Sequence, residues 1–157
     1  MQTAQKKPVL AVLGPTASGK TGLALEIADR HGCEIVNCDS RQIYSEMLIG
    51  TAHPTQAEMA QSPHHLFSII TPDRSFSAAE YAEAAAAAIR QIWHRSRIPL
   101  LVGGTGFYYD ALAEGHLRGE EALRHAAGAP DVAVDGLVGR ELHPHDAAVD
   151  ERQERVM

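Results

Sequence analysis

Cysteine is scarce in this chain, with two residues in 157, and neither pairs with a neighbour at the spacing of a zinc site. A disulfide scaffold is excluded, and Cys33 and Cys38 read as reduced structural thiols beside a strand. Aromatic residues are also few, at 5% of the chain, and no apolar run approaches the eighteen or more residues that a membrane-spanning helix needs. Basic charge is in deficit: 14 Lys and Arg stand against 20 Asp and Glu, a formal charge of −6. The deficit is uneven, because residues 1–110 carry 9 basic and 10 acidic side chains and residues 111–157 carry 5 and 10. The acidic tail is no electrostatic footprint for nucleic acid, since phosphate binding is driven by Lys and Arg displacing counterions. A soluble cytoplasmic chain, not bound to a membrane, is expected. The 45% hydrophobic fraction excludes disordered, collagen-like and coiled-coil classes, and the length suits one core.

The apolar residues fall into short blocks. Val9 to Leu13, between Pro8 and Gly14, suits a strand buried on both faces. Lys20 to His31 has helical spacing and meets Gly32 as a stop signal. Glu34 to Asn37 reads as a second strand, so strand, helix and strand follow within some thirty residues and imply parallel strands joined by a right-handed crossover. Residues 41–76 are broken by Pro54, Pro63 and Pro72, with a strand expected within His65 to Ile70. Ser77 to Glu80 has the form of a capping box, followed by Tyr81, Ala85, Ala88, Ile89 and Ile92 on one helical face up to about Arg97. Ile98 to Val102 reads as another buried strand, ending in Gly103-Gly104-Thr105-Gly106 and a short helix to about Leu112. The expected architecture is α/β: three layers around a parallel sheet, like the P-loop NTPases. Residues 1–115 form the core. Residues 116–157 read as a weakly structured remainder, with linker composition over Ala126 to Gly139 and a charged end, helical or disordered, over Asp146 to Met157.

Between the first strand and helix stands Gly14-Pro15-Thr16-Ala17-Ser18-Gly19-Lys20-Thr21, which fits G-x-x-x-x-G-K-[ST] in the structural context that gives the pattern meaning. Glycines let consecutive backbone N–H groups and the helix N-terminus face phosphate oxygens. Lys20 adds a mobile cation, and the Thr21 hydroxyl is placed to ligate Mg²⁺. An ordinary NTPase would carry a metal-binding Asp after a later strand, yet Ile98–Val102 ends in Gly-Gly-Thr. The carboxylate that closes a strand is Asp39. Parallel strands end on one edge, so Asp39 faces the same crevice as the loop, where it serves as a general base, an indirect metal partner or a helix cap. The succession Asp39-Ser40-Arg41-Gln42-Ile43-Tyr44 offers an acceptor, a hydroxyl, a guanidinium and an amide, which suits recognition of a planar hydrogen-bonding group beside an anion.

These blocks, together with Gly50-Thr51-Ala52-His53-Pro54, Pro63-His64-His65-Leu66 and Leu101 to Tyr108, resemble in order and spacing those of the tRNA dimethylallyltransferase family, the MiaA-type isopentenyltransferases. The resemblance implies an enzyme that transfers a dimethylallyl group from its diphosphate to N6 of the adenosine next to the anticodon of tRNA. It implies that residues 14–21 grip the diphosphate, with Lys20, Thr21 and Mg²⁺ against the departing pyrophosphate. Asp39 then accepts the N6 proton, Ser40, Arg41 and Gln42 bind the flipped-out base and its neighbours, and Thr105 bonds a diphosphate oxygen or the tRNA. Arg124 aligns with a family arginine that touches tRNA. Two departures stand out: His53 replaces the family's Lys, and the helical insertion and basic C-terminal region that hold the anticodon arm are nearly absent. A monomer is expected. The alternatives are a shortened family member that keeps only diphosphate binding, and a small-molecule phosphate-loop kinase.

His64-His65 and His143-x-His145 lack Cys or carboxylates at a recognised metal spacing and read as non-ligands. Trp93 reads as packing, and Tyr108 as core or prenyl contact.

Overall fold

A computed structural model describes residues 7–15, 18–46 and 52–117, together with the backbones of 131–134 and 137–140. Four short parallel strands form the sheet: β1 (Leu10–Leu13), β2 (Cys33–Asn37), β3 (His64–His65) and β4 (Ile98–Gly103), in spatial order β1-β4-β2-β3. Helix α1 (Lys20–His31) links β1 to β2, α2 (Gln56–Gln61) precedes β3, α3 (Ala78–His94) precedes β4, and α4 (Gly106–Leu112) follows it.

Alternation along the strands sends their side chains to two separate cores, which is why the blocks read as continuously apolar. Leu10, Cys33, Ile35 and Leu100 pack with Ala24 and Ala28 of α1. Val9, Val36, Cys38 and Leu101 pack on the other face with Tyr81, Ala85, Ile89 and Ile92 of α3 and with Tyr108 and Leu112 of α4. This is the expected three-layer arrangement. The expected face of α3 is the buried one: Tyr81, Ala85, Ile89 and Ile92 are fully enclosed, and alanines at 82, 85, 86 and 88 let the helix lie close to the sheet. Enclosing Ile89 and Ile92 contributes roughly 1.5–3 kcal/mol each. The capping box at its start is formed in both directions, Ser77 to Glu80 and back. A second box, Thr55 with Glu58, starts α2.

Three expectations are corrected. Helix α3 stops at His94, because Arg95 leaves the helix and Ser96 turns at φ 56°. The strand expected within 65–70 shrinks to its first residue, because Leu66 and Ser68 adopt left-handed φ values of 64° and 54°; a lone bridge pairs Tyr44 with Ile70. Within the stretch of linker composition, β5 (Asp131–Val134) and β6 (Leu137–Arg140) form an antiparallel ladder. The overlooked signal is Asp135-Gly136, a hairpin dipeptide between two short apolar segments. The charged end, 146–157, lies outside the described residues.

The sheet order has one consequence that the chain order hides. Strand β4 enters between β1 and β2, pairing Leu13 with Gly103 and Asn37 with Val102. The ends of three strands therefore lie side by side on one edge.

Candidate functional site

That edge is laced by backbone hydrogen bonds. The Gly14 amide donates to the Gly103 carbonyl at 3.2 Å, the Cys38 amide to Val102 at 2.8 Å and the Thr105 amide to Cys38 at 3.1 Å. Gly103 and Gly104 make the approach possible. A Cβ on Gly103 would lie 2.2 Å from the Cys38 carbonyl oxygen, and one on Gly104 would lie 2.8 Å from that of Gly14. The Gly-Gly pair is thus where the glycine loop, the Asp39 turn and the end of β4 close on one another.

Of the glycine loop, Gly14, Pro15, Ser18, Gly19, Lys20 and Thr21 are placed, while Thr16 and Ala17 lie outside the described residues. Gly19 caps α1 at φ 81°, a conformation that favours glycine. The first turn of α1 holds no acidic residue, so the positive end of its dipole stays uncompensated by side chains there. Ser18 Oγ donates to the Pro15 carbonyl at 2.7 Å, and Lys20 Nζ donates to the same oxygen. Lys20 is held below the usual lysine range, chiefly because burial disfavours its charge, with the nearby Asp39 carboxylate acting in the opposite sense. The two residues most expected to carry chemistry therefore sense each other's charge.

Asp39 is half-buried and opens a tight turn. Its Oδ1 accepts from the Arg41 amide at 2.7 Å and the Gln42 amide at 3.4 Å. Oδ2 takes no part in those two bonds. Ser40 is tied to Thr105 twice: its amide donates to Thr105 Oγ1 at 2.9 Å, and Thr105 Oγ1 donates to Ser40 Oγ at 3.3 Å. Thr105 is thus joined to the Asp39 turn across 65 positions of sequence. Arg41 is exposed, and Gln42 Nε2 donates to the Ala52 carbonyl at 2.8 Å. The 63–68 segment also comes here, since the Ser68 amide donates to the Gln42 carbonyl and the Ile69 amide to that of Ile43. His53 reaches the same segment, its ring 6.4 Å from that of Phe67 and its Nε2 3.2 Å from Ser68 Oγ. Arg124 lies outside the described residues.

One organiser of the site was overlooked in the sequence. Asn37, the last residue of β2, is fully enclosed; its Oδ1 accepts from the Asp39 amide at 2.9 Å, and its Nδ2 donates to the carbonyls of Asp39 and Leu66 at 3.1 and 3.0 Å. The available signal was a polar residue closing an apolar strand two positions before a carboxylate.

Other candidates resolve into structure. His65 Nε2 lies 2.7 Å from Glu34 Oε2, and His64 Nδ1 lies 2.7 Å from the Ser62 carbonyl. Tyr108 is buried and stacks on Tyr81 with ring centres 4.1 Å apart, so it belongs to the core. Trp93 packs against the same core and donates to the Pro8 carbonyl. Phe107, in contrast, is 82% exposed. No group of three His, Cys, Asp or Glu suited to a metal occurs among the described residues. A magnesium ion at this edge would take the Thr21 hydroxyl, a hard oxygen donor at the start of α1, and complete its shell with ligand oxygens and water. That donor set suits Mg²⁺, which keeps few protein ligands beside a bound phosphate.

Comparison with known proteins adds four findings. The family model described as IPP transferase matches residues 42–154. A tRNA dimethylallyltransferase of Geobacter metallireducens is 42% identical over 161 aligned positions, which cover 93% of this chain and 52% of that protein. The full-length tRNA isopentenylpyrophosphate transferase of Bacillus halodurans superposes with a TM-score of 0.67 at 43% identity, over 72% of this chain and 37% of that one. A eukaryotic dimethylallyltransferase solved acting on tRNA gives a TM-score of 0.66 at 27% identity, over 80% of this chain and 34% of that one. The chain spans about half the length of the curated relatives it matches. No helix among the described residues is long and apolar enough to cross a membrane.

Proposed function

Because this chain belongs to the IPP transferase family, we propose that its glycine-loop edge transfers a dimethylallyl group from dimethylallyl diphosphate to N6 of the adenosine next to the anticodon of tRNA. The carrying observation is the convergence on one sheet edge of Lys20, Asp39 and Thr105, which the bonds among Gly14, Gly103, Cys38 and Thr105 hold together. The names of the relatives and the tRNA-bound eukaryotic neighbour support the choice of substrates.

The loop amides and the N-terminus of α1 receive the diphosphate, and Lys20 exchanges its internal bond to Pro15 for a diphosphate oxygen. Its weakened hold on a proton does not defeat this, because an arriving anion favours the charged ammonium. The adenine amine attacks C1 of the dimethylallyl group. A C–N bond forms as the C1–O bond breaks, and pyrophosphate leaves with the electron pair. Negative charge grows on the leaving oxygens, where the N-terminus of α1 and the redirected Lys20 ammonium answer it. Mg²⁺, held through Thr21 and the diphosphate itself, would add positive charge at that place. The N6 proton passes to Asp39, whose Oδ1 is fixed by the Arg41 and Gln42 amides while Oδ2 is turned to neither. Ser40, Arg41 and Gln42, with Thr105 bonded to Ser40, form the wall against which the extruded base rests. The exposed Arg41 and the Gln42 amide supply the polar contacts.

Incubation of the purified chain with dimethylallyl diphosphate, Mg²⁺ and undermodified tRNA, followed by mass spectrometry of the nucleosides, tests the proposal. N6-(dimethylallyl)adenosine forms with the wild type and is lost with Asp39→Asn. Equal product from both would refute the role of Asp39, and no product from the wild type would refute the activity.

A further inference from the structure

Asp39 owes its position to a side chain outside the expected binding blocks. Strand β2 ends at Asn37, and from there the chain must leave the sheet, reverse at Asp39 and pass Gln42 beside the 66–69 segment. A free turn of this kind would let the carboxylate swing. Asn37 prevents it with three bonds, one to the Asp39 amide, one to the Asp39 carbonyl and one to the Leu66 carbonyl. Both atoms of its side-chain amide group are used, and the residue has no solvent contact.

Leu66 shows what the third bond is for. Its φ of 64° and the 54° of Ser68 lie where side-chain-bearing residues are strained. Such a backbone persists only where its surroundings hold it. The Asn37 amide holds the Leu66 carbonyl from one side, and the Gln42 and Ile43 carbonyls hold the Ser68 and Ile69 amides from the other. Asn37 itself is anchored from behind, since buried Tyr81 donates its hydroxyl to the Asn37 carbonyl at 2.8 Å.

We infer that Asn37 is a positioning residue for the transfer reaction: its side-chain amide fastens the Asp39 turn to the Leu66–Ser68 segment, so that the carboxylate and the base-facing wall move as one body. The inference rests on the proposed role of Asp39 for its kinetic consequence but not for its structural one. No aliphatic residue of similar size can replace it, because two carbonyls and one amide, all half-buried, would lose their side-chain partner. Aspartate cannot either, because it would set carboxylate oxygens against two carbonyls.

The test uses the full chain and compares Asn37→Ala and Asn37→Ser with Tyr81→Phe, which removes a bond to the same residue's backbone and leaves the side-chain amide intact. Hydrogen exchange is the first readout. In Asn37→Ala, amide exchange in both 39–42 and 66–69 accelerates together, by roughly tenfold to a hundredfold as loss of bonds to buried groups implies, with α1 unchanged. Asn37→Ser, which keeps one donor and one acceptor, recovers part of the protection, and Tyr81→Phe, which loosens the backbone anchor but keeps the side-chain amide, accelerates the two segments less than Asn37→Ala does. Unchanged exchange in Asn37→Ala, or acceleration spread evenly over the whole chain, overturns the fastening. Steady-state kinetics is the second readout: kcat falls by a similar factor while KM for dimethylallyl diphosphate, held by the glycine loop, stays within about twofold. A rise in KM with kcat intact overturns the positioning role. A wild type that makes no product refutes the proposed activity, and the exchange result then stands on its own.

Discussion

Glu34, near the start of β2, and Asp39, two residues past its end, are carboxylates that live in opposite ways. Glu34, with a side chain 4% exposed, is held by Arg95 through Nε at 3.1 Å and a terminal nitrogen at 2.7 Å, and by His65 at 2.7 Å. The Arg95 guanidinium, more than the His65 ring, holds its carboxyl below the usual range, against the opposing effect of burial. Asp39 is half-buried, bonds backbone amides through one oxygen, and has Lys20 as the cation within electrostatic reach. A carboxylate whose charge is answered by fixed side chains fastens β2, β3 and the end of α3 and has little left to offer a substrate. A carboxylate oriented through one oxygen by the amides of its own turn keeps its other oxygen out of those bonds, which suits a general base. The same strand thus supplies stability at one end and chemistry at the other.

Substituting each by its amide separates the two roles. Asp39→Asn keeps an oxygen for the Arg41 and Gln42 amides, so the melting temperature stays near that of the wild type while product formation drops by roughly 10²–10⁴-fold, the usual contribution of a positioned base. Comparable losses of stability and activity would erase the distinction. Gly103→Ala erases it by design. Its Cβ would meet the Cys38 carbonyl at 2.2 Å, a backbone atom that cannot step aside, so the end of β4 or the Asp39 turn must shift. A loss of about 3 kcal/mol in urea unfolding is expected, at the upper end of overpacking, together with loss of activity. Glu34→Gln gives the mirror image of Asp39→Asn: a stability loss of about 2 kcal/mol with activity retained in the folded fraction. The cost stays below that of breaking a fully enclosed pair because Arg95, 47% exposed, can turn to water.

The sequence made local features legible and left long-range ones hidden. Helix α1 with its Gly32 stop and the face of α3 each depend on residues within four positions of one another, and each stands where its spacing put it. The insertion of β4 between β1 and β2 depends on pairings such as Leu10 with Leu100 and Cys33 with Ile98, far apart along the chain, which no spacing rule encodes. The bonds from Thr105 to Ser40 and from Asn37 to Leu66, 65 and 29 positions apart, are equally invisible to local spacing. Glu34 carried no signal because a lone acid in an apolar strand is read by its neighbours in sequence, whereas its partners are Arg95 and His65. The Gly103-Gly104 pair was visible, but its reason was not: it lies in atoms of Cys38 and Gly14, far away along the chain.

Acid titration gives the smallest effect and the finest test of the contrast. Two described groups in the half of the molecule opposite the glycine loop have depressed values for unlike reasons. His64 is lowered mainly by burial, which disfavours its charged form, from an ordinary value of 6.5; Glu34 is lowered mainly by its bond to Arg95, from 4.5. Both signs run the same way. Above its ordinary value each group has the same protonation folded and unfolded, and its contribution to stability is complete. As pH falls below that value the unfolded chain takes up the proton first, and stability declines until the folded group titrates as well. The His64 contribution therefore begins to fall below about pH 6.5 and that of Glu34 below about 4.5, each with a slope no steeper than about 1.4 kcal/mol per pH unit. Urea unfolding followed from pH 7.5 to 3.5 should show both declines in the wild type. In Glu34→Gln the lower one shrinks to the part left by Glu80, which Ser77 also lowers from 4.5, and the upper one remains; in His64→Gln the upper one disappears and the lower one stays whole. If the lower decline survives Glu34→Gln undiminished, the carboxylate that fastens the sheet is not the one that gives it up in acid, and the division of labour along β2 fails.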